Sequence, residues 1–222
     1  MSEASYQYLP PVDQGLDILY QDDTLLVLNK PGGLLSVPGK GVDRQDSLAT
    51  RVQREFPDAE VVHRLDMATS GIMLMARGKS AQSQLSKLFQ QRQVQKSYIA
   101  VVDGRLEQDS GEIDLPLITD WPNRPKQKVD FEHGKSSQTR YRVLQYNAAD
   151  NTTRVQLEPI TGRSHQLRVH MQQLGHAIVG DRLYADEAAQ AKADRLLLHA
   201  ESIGFTHPLT MQDVLFDSQA PF

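Results

Sequence analysis

The sequence predicts an α+β fold built on a mixed, largely antiparallel sheet flanked by helices. Three observations carry this reading. Strand signals outnumber helix signals along the chain. The first strands are joined as a hairpin, and the clear helices fall irregularly among the strands instead of alternating with them, which is the pattern of α+β architecture. A content of 39% apolar and 23% charged residues in 222 positions suits one folded domain with a sizeable core.

Taken in order, residues 18–20 and 24–28, split by a Gln21-Asp22-Asp23 turn, read as a hairpin that ends at Asn29-Lys30-Pro31-Gly32-Gly33. Asp46 or Ser47 caps a short amphipathic helix with Leu48, Val52 and Phe56 on one face, stopped by Pro57. The continuous apolar run 72–76, between Gly71 and Gly78, suits a strand buried on both faces. Ser80 then starts a helix whose Ala81, Leu85, Leu88 and Phe89 share a face. Residues 98–102, 139–143 and 154–157 read as further strands. Ser164 is the expected cap of a last clear helix, with Leu167, Met171 and Leu174 inward and Gly175 as its stop, and 196–198 is a late strand.

Composition excludes several chemistries. The chain has no cysteine, so disulfides, iron–sulfur clusters, thiolate zinc sites and cysteine nucleophiles are ruled out. It has no apolar run of about 18 residues and an acidic, hydroxyl-bearing N-terminus where a signal peptide needs a basic start, so the expectation is a cytoplasmic chain with no membrane partner. The formal charge of −4 hides a strong segregation. Residues 67–102 carry five cations and no acid, 121–129 hold Arg124, Lys126 and Lys128 alone, and 159–180 hold Arg163 and Arg168 without a carboxylate. Acids gather before Thr24, in 103–114 and after Tyr184, so a positive face able to meet a polyanion is expected despite the net charge.

Common motifs fail. Gly39-Lys40-Gly41 is not completed, since Arg44 stands where a dinucleotide fingerprint needs glycine; no P-loop or H-E-x-x-H occurs, and Ala68 breaks a nucleophile elbow at Ser70. No metal site is supported. What remains is His63-Arg64-Leu65-Asp66-Met67-Ala68-Thr69-Ser70-Gly71, a turn-like stretch before the buried strand. Its composition fits an ordinary turn with Asp66 accepting local amide hydrogens. Composition alone favours that turn, and the spacing also allows a carboxylate held beside a rigid strand, with an arginine close by, against a charged ligand.

The stretch resembles the catalytic segment of the RluA-type pseudouridine synthases. The resemblance extends in order through Asn29-Lys30-Pro31, Lys96-Ser97-Tyr98, the segment from Pro159 through Gly162-Arg163-Ser164-His165-Gln166-Leu167-Arg168 to His170, Gly180-Asp181 and Leu197-Leu198-His199-Ala200. Trp121-Pro122-Asn123-Arg124-Pro125-Lys126-Gln127-Lys128 most resembles a dual-specificity member acting on large-subunit ribosomal RNA and on a tRNA anticodon stem-loop. Many members begin with an S4 RNA-binding domain. Only 28 residues precede Asn29, so the expectation is a single catalytic domain, 1–222, without one.

The resemblance implies a pseudouridine synthase fold, no metal or cofactor, an RNA partner and a monomer. It implies that Asp66 is the aspartate of uridine isomerisation, acting as nucleophile at the sugar, as electrostatic partner of an oxocarbenium-like centre, or as base at the 2′ carbon. It further implies that Arg163 pairs with Asp66 and keeps it charged, and that Tyr98 stacks on the uracil and relays a proton. Arg64 would fill the space of the extruded base beside His63, with Leu197 or Leu198 lining an apolar pocket. Arg124, Lys126 and Lys128, with Lys87 and Arg92, would contact phosphates.

Two other classes stand beside the isomerase: a non-catalytic RNA-binding module on the same basic face, and a hydrolase of N-glycosidic bonds. A binding module has no need of Asp66, Tyr98 and Arg163 together. A two-carboxylate hydrolase needs a second acid, and segments 96–98 and 159–170 hold none.

Overall fold

The unbroken apolar runs 25–28 and 72–76 demand a sheet covered on both faces, and a computed structural model describing residues 8–222 places them side by side. The first hairpin joins β1 (Ile18–Gln21) to β2 (Leu25–Lys30), and the Asp22 carboxylate holds the turn by accepting amide hydrogens from Thr24 and Leu25 at 2.7 and 2.9 Å. Helix α1 (Leu48–Glu55) starts on Ser47, whose hydroxyl accepts from the Thr50 amide while the Thr50 hydroxyl accepts from that of Ser47, a reciprocal cap. β3 (Ala59–Val61), β4 (Ser70–Arg77), α2 (Gly78–Gln90) and β5 (Gln95–Asp103) follow. Beyond them come β6 (Ser110–Asp114), the small hairpin β7 (Leu117–Thr119) and β8 (Gln127–Val129), β9 (Gln138–Asn147) and β10 (Thr152–Pro159). Helices α3 (Gln166–Gln173) and α4 (Glu187–Ala191) precede β11 (Leu198–Thr206) and β12 (Asp213–Asp217).

The main sheet runs β1-β2-β4-β11-β5-β10-β9-β6, with β3 added to β4 and β12 to β11. Its pairings are antiparallel except where β4 meets β11, so the mixed, largely antiparallel sheet is as expected. That parallel contact is short, joining His199 to Ser70 and Ala200 to Gly71. Gly71 has φ +108°, and a Cβ there would lie 2.3 Å from the Ala200 carbonyl oxygen, so the close approach requires glycine.

Period-two alternation sorts the core. Leu26, Leu28, Met73 and Met75 face α1; Leu25, Val27, Ile72 and Leu74 face α2 on the other side. Farther along the α1 face, Ala100, Val102, Val155 and Leu157 pack on Leu167 and Met171 of α3. Each buried Leu, Ile, Val or Met among them contributes about 1.5–3 kcal/mol relative to exposure. Tyr98 packs against both clusters on that face, so the site lies where the α1 and α3 halves meet.

The structure corrects several boundaries. α2 begins at Gly78 instead of Ser80, directly after β4, because Gly78 takes φ +77° and its amide donates to the Asp58 carbonyl at 2.8 Å. Ser164 does not cap α3. His165 occupies the cap position in the left-handed region (φ 54°) with no side-chain cap, and Leu174 ends the helix half-exposed. Short α4, capped by Asp186, and the strands β3, β6, β7, β8 and β12 had no counterpart in the sequence reading. Residues 1–7, which include Glu3 of the acidic N-terminal group, lie outside the described residues. Among the described residues no helix is long and apolar enough to cross a membrane.

Candidate active site

The segment carrying Asp66 connects β3 to β4 and is tied down through its backbone. Ser36 Oγ accepts the Leu65 amide hydrogen at 3.1 Å and donates to the Leu65 carbonyl at 2.6 Å; the Gly33 amide donates to the Met67 carbonyl at 2.8 Å. Lys30 is wholly buried, and its Nζ donates to the carbonyls of Pro31, Leu34 and Met67 at 2.9, 2.7 and 3.1 Å. Three acceptors match the three donors of an ammonium. Burial pulls the Lys30 pKa down to about 7, against the attraction of Asp66.

Asp66 thereby faces a cavity of about 590 Å³. Arg168 Nη1 lies 3.4 Å from its Oδ2, and His165 Nε2 lies 3.9 Å from the same oxygen. Arg168 is buried and bidentate to Asp181, with Nε and Nη2 donating at 2.8 and 2.7 Å, so only Nη1 is turned toward Asp66. Burial works against the Arg168 charge, yet the hydrogen bonds and attraction of Asp181, then Asp66, raise its pKa overall. Tyr98 projects from β5 into the cavity; burial and the nearby Asp66 raise its pKa, so the hydroxyl keeps its proton at neutral pH.

His63, Arg64, Asp66, Tyr98, Arg163 and Leu198 all line this cavity, so the structure gathers segments scattered over more than 130 positions. Leu197 is not part of the lining, and Arg124, Lys126 and Lys128 sit away from it on the β7–β8 hairpin, where all three are exposed. The expected pairing of Asp66 with Arg163 is corrected. Arg163 is exposed and its Nε donates to the Ser136 carbonyl at 3.2 Å, while Arg168 holds the inward position. The reason is local. Gln166 Oε1 accepts the Arg163 amide and the Thr161 hydroxyl while its Nε2 donates to Gln138 and Thr139, which pins 161–166 as a loop and starts the helix at 166. Arg168, in the first turn, then points at Asp181 and Asp66. Its signal in the sequence was Asp181, the first carboxylate after the acid-free stretch 159–180, which could neutralise a buried guanidinium.

His63 is half-buried, its ring stacked 4.5 Å from that of Phe89, and its Nε2 accepts the Leu74 amide hydrogen at 2.8 Å. Desolvation, with the charge of Lys96 second, pushes its pKa down to about 3. Below about pH 6.5 the unfolded chain takes up a proton that the folded one refuses, so stability falls with falling pH, by about 2 kcal/mol between pH 7 and 5. The pKa values of His165, His170 and His199 are lowered by burial too and add losses of the same sign, so urea unfolding at both pH values should show a pH dependence about 2 kcal/mol smaller in His63→Gln than in the wild type. Equal pH dependence in the two proteins would show that His63 titrates normally in the folded state.

Among the described lining residues Asp66 is the sole carboxylate, facing Arg64, Arg92, Lys96, Arg163 and Arg168. A sequence profile described as RNA pseudouridylate synthase matches residues 24–173, about two-thirds of the chain. The chain belongs to the RNA pseudouridylate synthase family. This synthase is 56% identical over 215 residues to the dual-specificity RNA pseudouridine synthase RluA of Escherichia coli (strain K12), covering 97% of this chain and 98% of that one. It is 55% identical over 208 residues to the protein of the same name from Vibrio parahaemolyticus, covering 92% and 83%. Among solved structures, human RNA pseudouridylate synthase domain containing 1 superposes with a TM-score of 0.79 at 28% identity, covering 96% of this synthase and 87% of that chain. The human domain containing 4 gives 0.73 at 26% identity, covering 92% and 88%. The synthase is therefore an RNA isomerase converting uridine to pseudouridine.

Proposed function

We propose that the synthase acts as a monomer on uridines in large-subunit ribosomal RNA and in a tRNA anticodon stem-loop, with Asp66 as its catalytic carboxylate. The observation that carries this reading is the lone carboxylate of a cationic cavity. The isomerisation breaks C1′–N1, forms C1′–C5, removes a proton from C5 and returns one to N1, so it needs no second reactant. One acid suffices, whereas the common two-carboxylate glycosidase requires another.

The surroundings give each group its task. Arg168 supplies opposite charge and fixes the carboxylate that meets the sugar. Tyr98 supplies a ring for the uracil and a hydroxyl that remains protonated until a basic group needs it. A uridine reaches Asp66 only by leaving its stack, and Arg64, exposed at the cavity mouth, has the planar cation to take its place, with Leu198 as apolar wall. Support for the dual substrate comes from the similarity to relatives that carry dual specificity in their names, and from the exposed hairpin on which Arg124 covers the ring of Trp121 at 4.8 Å.

The test is to incubate the protein with unmodified ribosomal RNA and tRNA transcripts and map pseudouridine by chemical adduct and primer stops. Product in both RNAs is expected; product in one class only overturns the dual assignment. The hairpin cations have their own measurement. Replacing Arg124, Lys126 and Lys128 together by Gln should flatten the dependence of log affinity on log salt by about two to three units, with little change in rate at saturating RNA. An unchanged slope would show that the hairpin cations face solvent in the complex.

A further inference from the structure

We propose that His165 is a second positioning residue for Asp66, aimed by a chain of hydrogen bonds that begins on the backbone of the β7–β8 hairpin. The inference rests on the reading of Asp66 as the catalytic carboxylate. The Gln127 amide of β8 donates to the Tyr184 hydroxyl oxygen at 2.8 Å, and that oxygen lies 2.7 Å from His165 Nδ1. A phenol has one hydrogen to give. Given to His165 Nδ1, the partner that faces it among the described residues, it leaves the lone pair on Nδ1 and puts the hydrogen of the neutral ring on Nε2. Nε2 is the atom 3.9 Å from Asp66 Oδ2. The donors thus run in one direction, from hairpin amide to phenol to imidazole to carboxylate.

The ring is placed for this at a backbone cost. His165 sits at φ 54°, a region that side-chain-bearing residues occupy sparingly and that persists only where the surroundings impose it. Tyr184 imposes it from one side, its ring edge-on to His165 at 5.6 Å, and the same ring carries the Arg168 guanidinium at 5.0 Å. One tyrosine therefore supports both groups that address Asp66 Oδ2. Desolvation lowers the His165 pKa, countered by Asp66 and reinforced by Arg168, which keeps the imidazole neutral and its tautomer dependent on Tyr184. At 3.9 Å the last contact is longer than a hydrogen bond, and a shift of under an ångström on substrate entry closes it. In the other tautomer, Nε2 would turn a lone pair toward the carboxylate.

The experiment is single-turnover isomerisation of an RNA transcript by the full chain, with RNA affinity measured beside it. Tyr184→Phe keeps both ring contacts and removes only the hydroxyl. It should slow the bound-substrate rate about tenfold, the scale of a lost hydrogen bond to a charged group, with affinity unchanged. His165→Leu should lose a similar factor, and the double variant no more than His165→Leu alone, because both changes cut one chain. His165→Gln, whose amide offers a donor near the Nε2 position, should recover most of the rate, which a purely structural role would not allow. Wild-type rates in the Phe and Leu variants, or losses that multiply in the double variant, overturn the inference. If His165→Leu fails to fold, Tyr184→Phe decides alone. Asp66→Asn separates the two readings: an active Asp66→Asn defeats the catalytic assignment itself, whereas an inactive one beside unaffected Phe and Leu variants defeats only the role given to His165.

Discussion

Asp66→Asn is expected to reduce pseudouridine formation by at least about 10²–10⁴-fold, the range associated with removing one acid–base group, while RNA binding and folding persist. The substitution keeps the shape of the side chain, and the segment around it is held by backbone contacts to Lys30, Gly33 and Ser36 that do not involve the carboxylate. Neutralising it removes the sole acid among the described cavity residues, leaving no neighbour to substitute in any of the three roles open to it. Product formation, thermal unfolding and RNA affinity measured on one preparation check the claim. Residual turnover above a few per cent of wild type, with intact binding, would sink it.

Arg168→Met carries the next largest effect, and it is a double one. It leaves Asp181, whose side chain is fully buried, without its bidentate partner, a change that costs about 3–5 kcal/mol for a buried pair. For a chain of this length that is a fall in melting temperature of roughly 6–20 °C. It also removes the cation 3.4 Å from Asp66, so the single-turnover rate should drop with it. Arg168→Lys separates the two effects by keeping a charge and losing the planar fork; it should fold better than Met and remain well below the wild-type rate. Arg163→Met, by contrast, should leave melting and bound-substrate rate close to wild type, because its side chain reaches only the Ser136 carbonyl. The opposite ranking of 163 and 168 would restore Arg163 as the partner of Asp66.

The two arginines show what a linear motif conveys. Strand β4 and helix α2 were legible because seven of the eight β4 residues are buried and the α2 apolar residues repeat at helical spacing. Asp66, Tyr98, Arg64, His63 and Leu198 were grouped by the family resemblance from short segments far apart in sequence, and those segments converge on one cavity, whereas Leu197, the alternative to Leu198, does not line it. Which arginine of 159–170 turns inward was not, since it depends on where α3 starts. Ser164 has the chemistry of a cap, yet the start is set by the Gln166 side chain reaching a strand about 28 positions upstream. Tyr184 and His165 escaped notice for a similar reason: their link joins residues 19 apart and depends on a left-handed cap conformation. Strands such as β7, β8 and β3 are three residues long, too short for any alternation to register.

The parallel contact between β4 and β11 governs when activity can arise during synthesis. β11 lies between β4 and β5 in the sheet, and the Ser70–His199 hydrogen bond spans 129 positions. Until residues 198–206 leave the ribosome, the strand that follows Asp66 has no neighbour on that edge at its start, and β5, which carries Tyr98, is paired with β10 alone. Such long-range closure is slow compared with local hairpins, and it comes after most of the chain exists. A nascent chain translated past Arg168 but short of β11 is therefore expected to be inert, so that activity waits on a strand carrying none of Asp66, Tyr98 or Arg168.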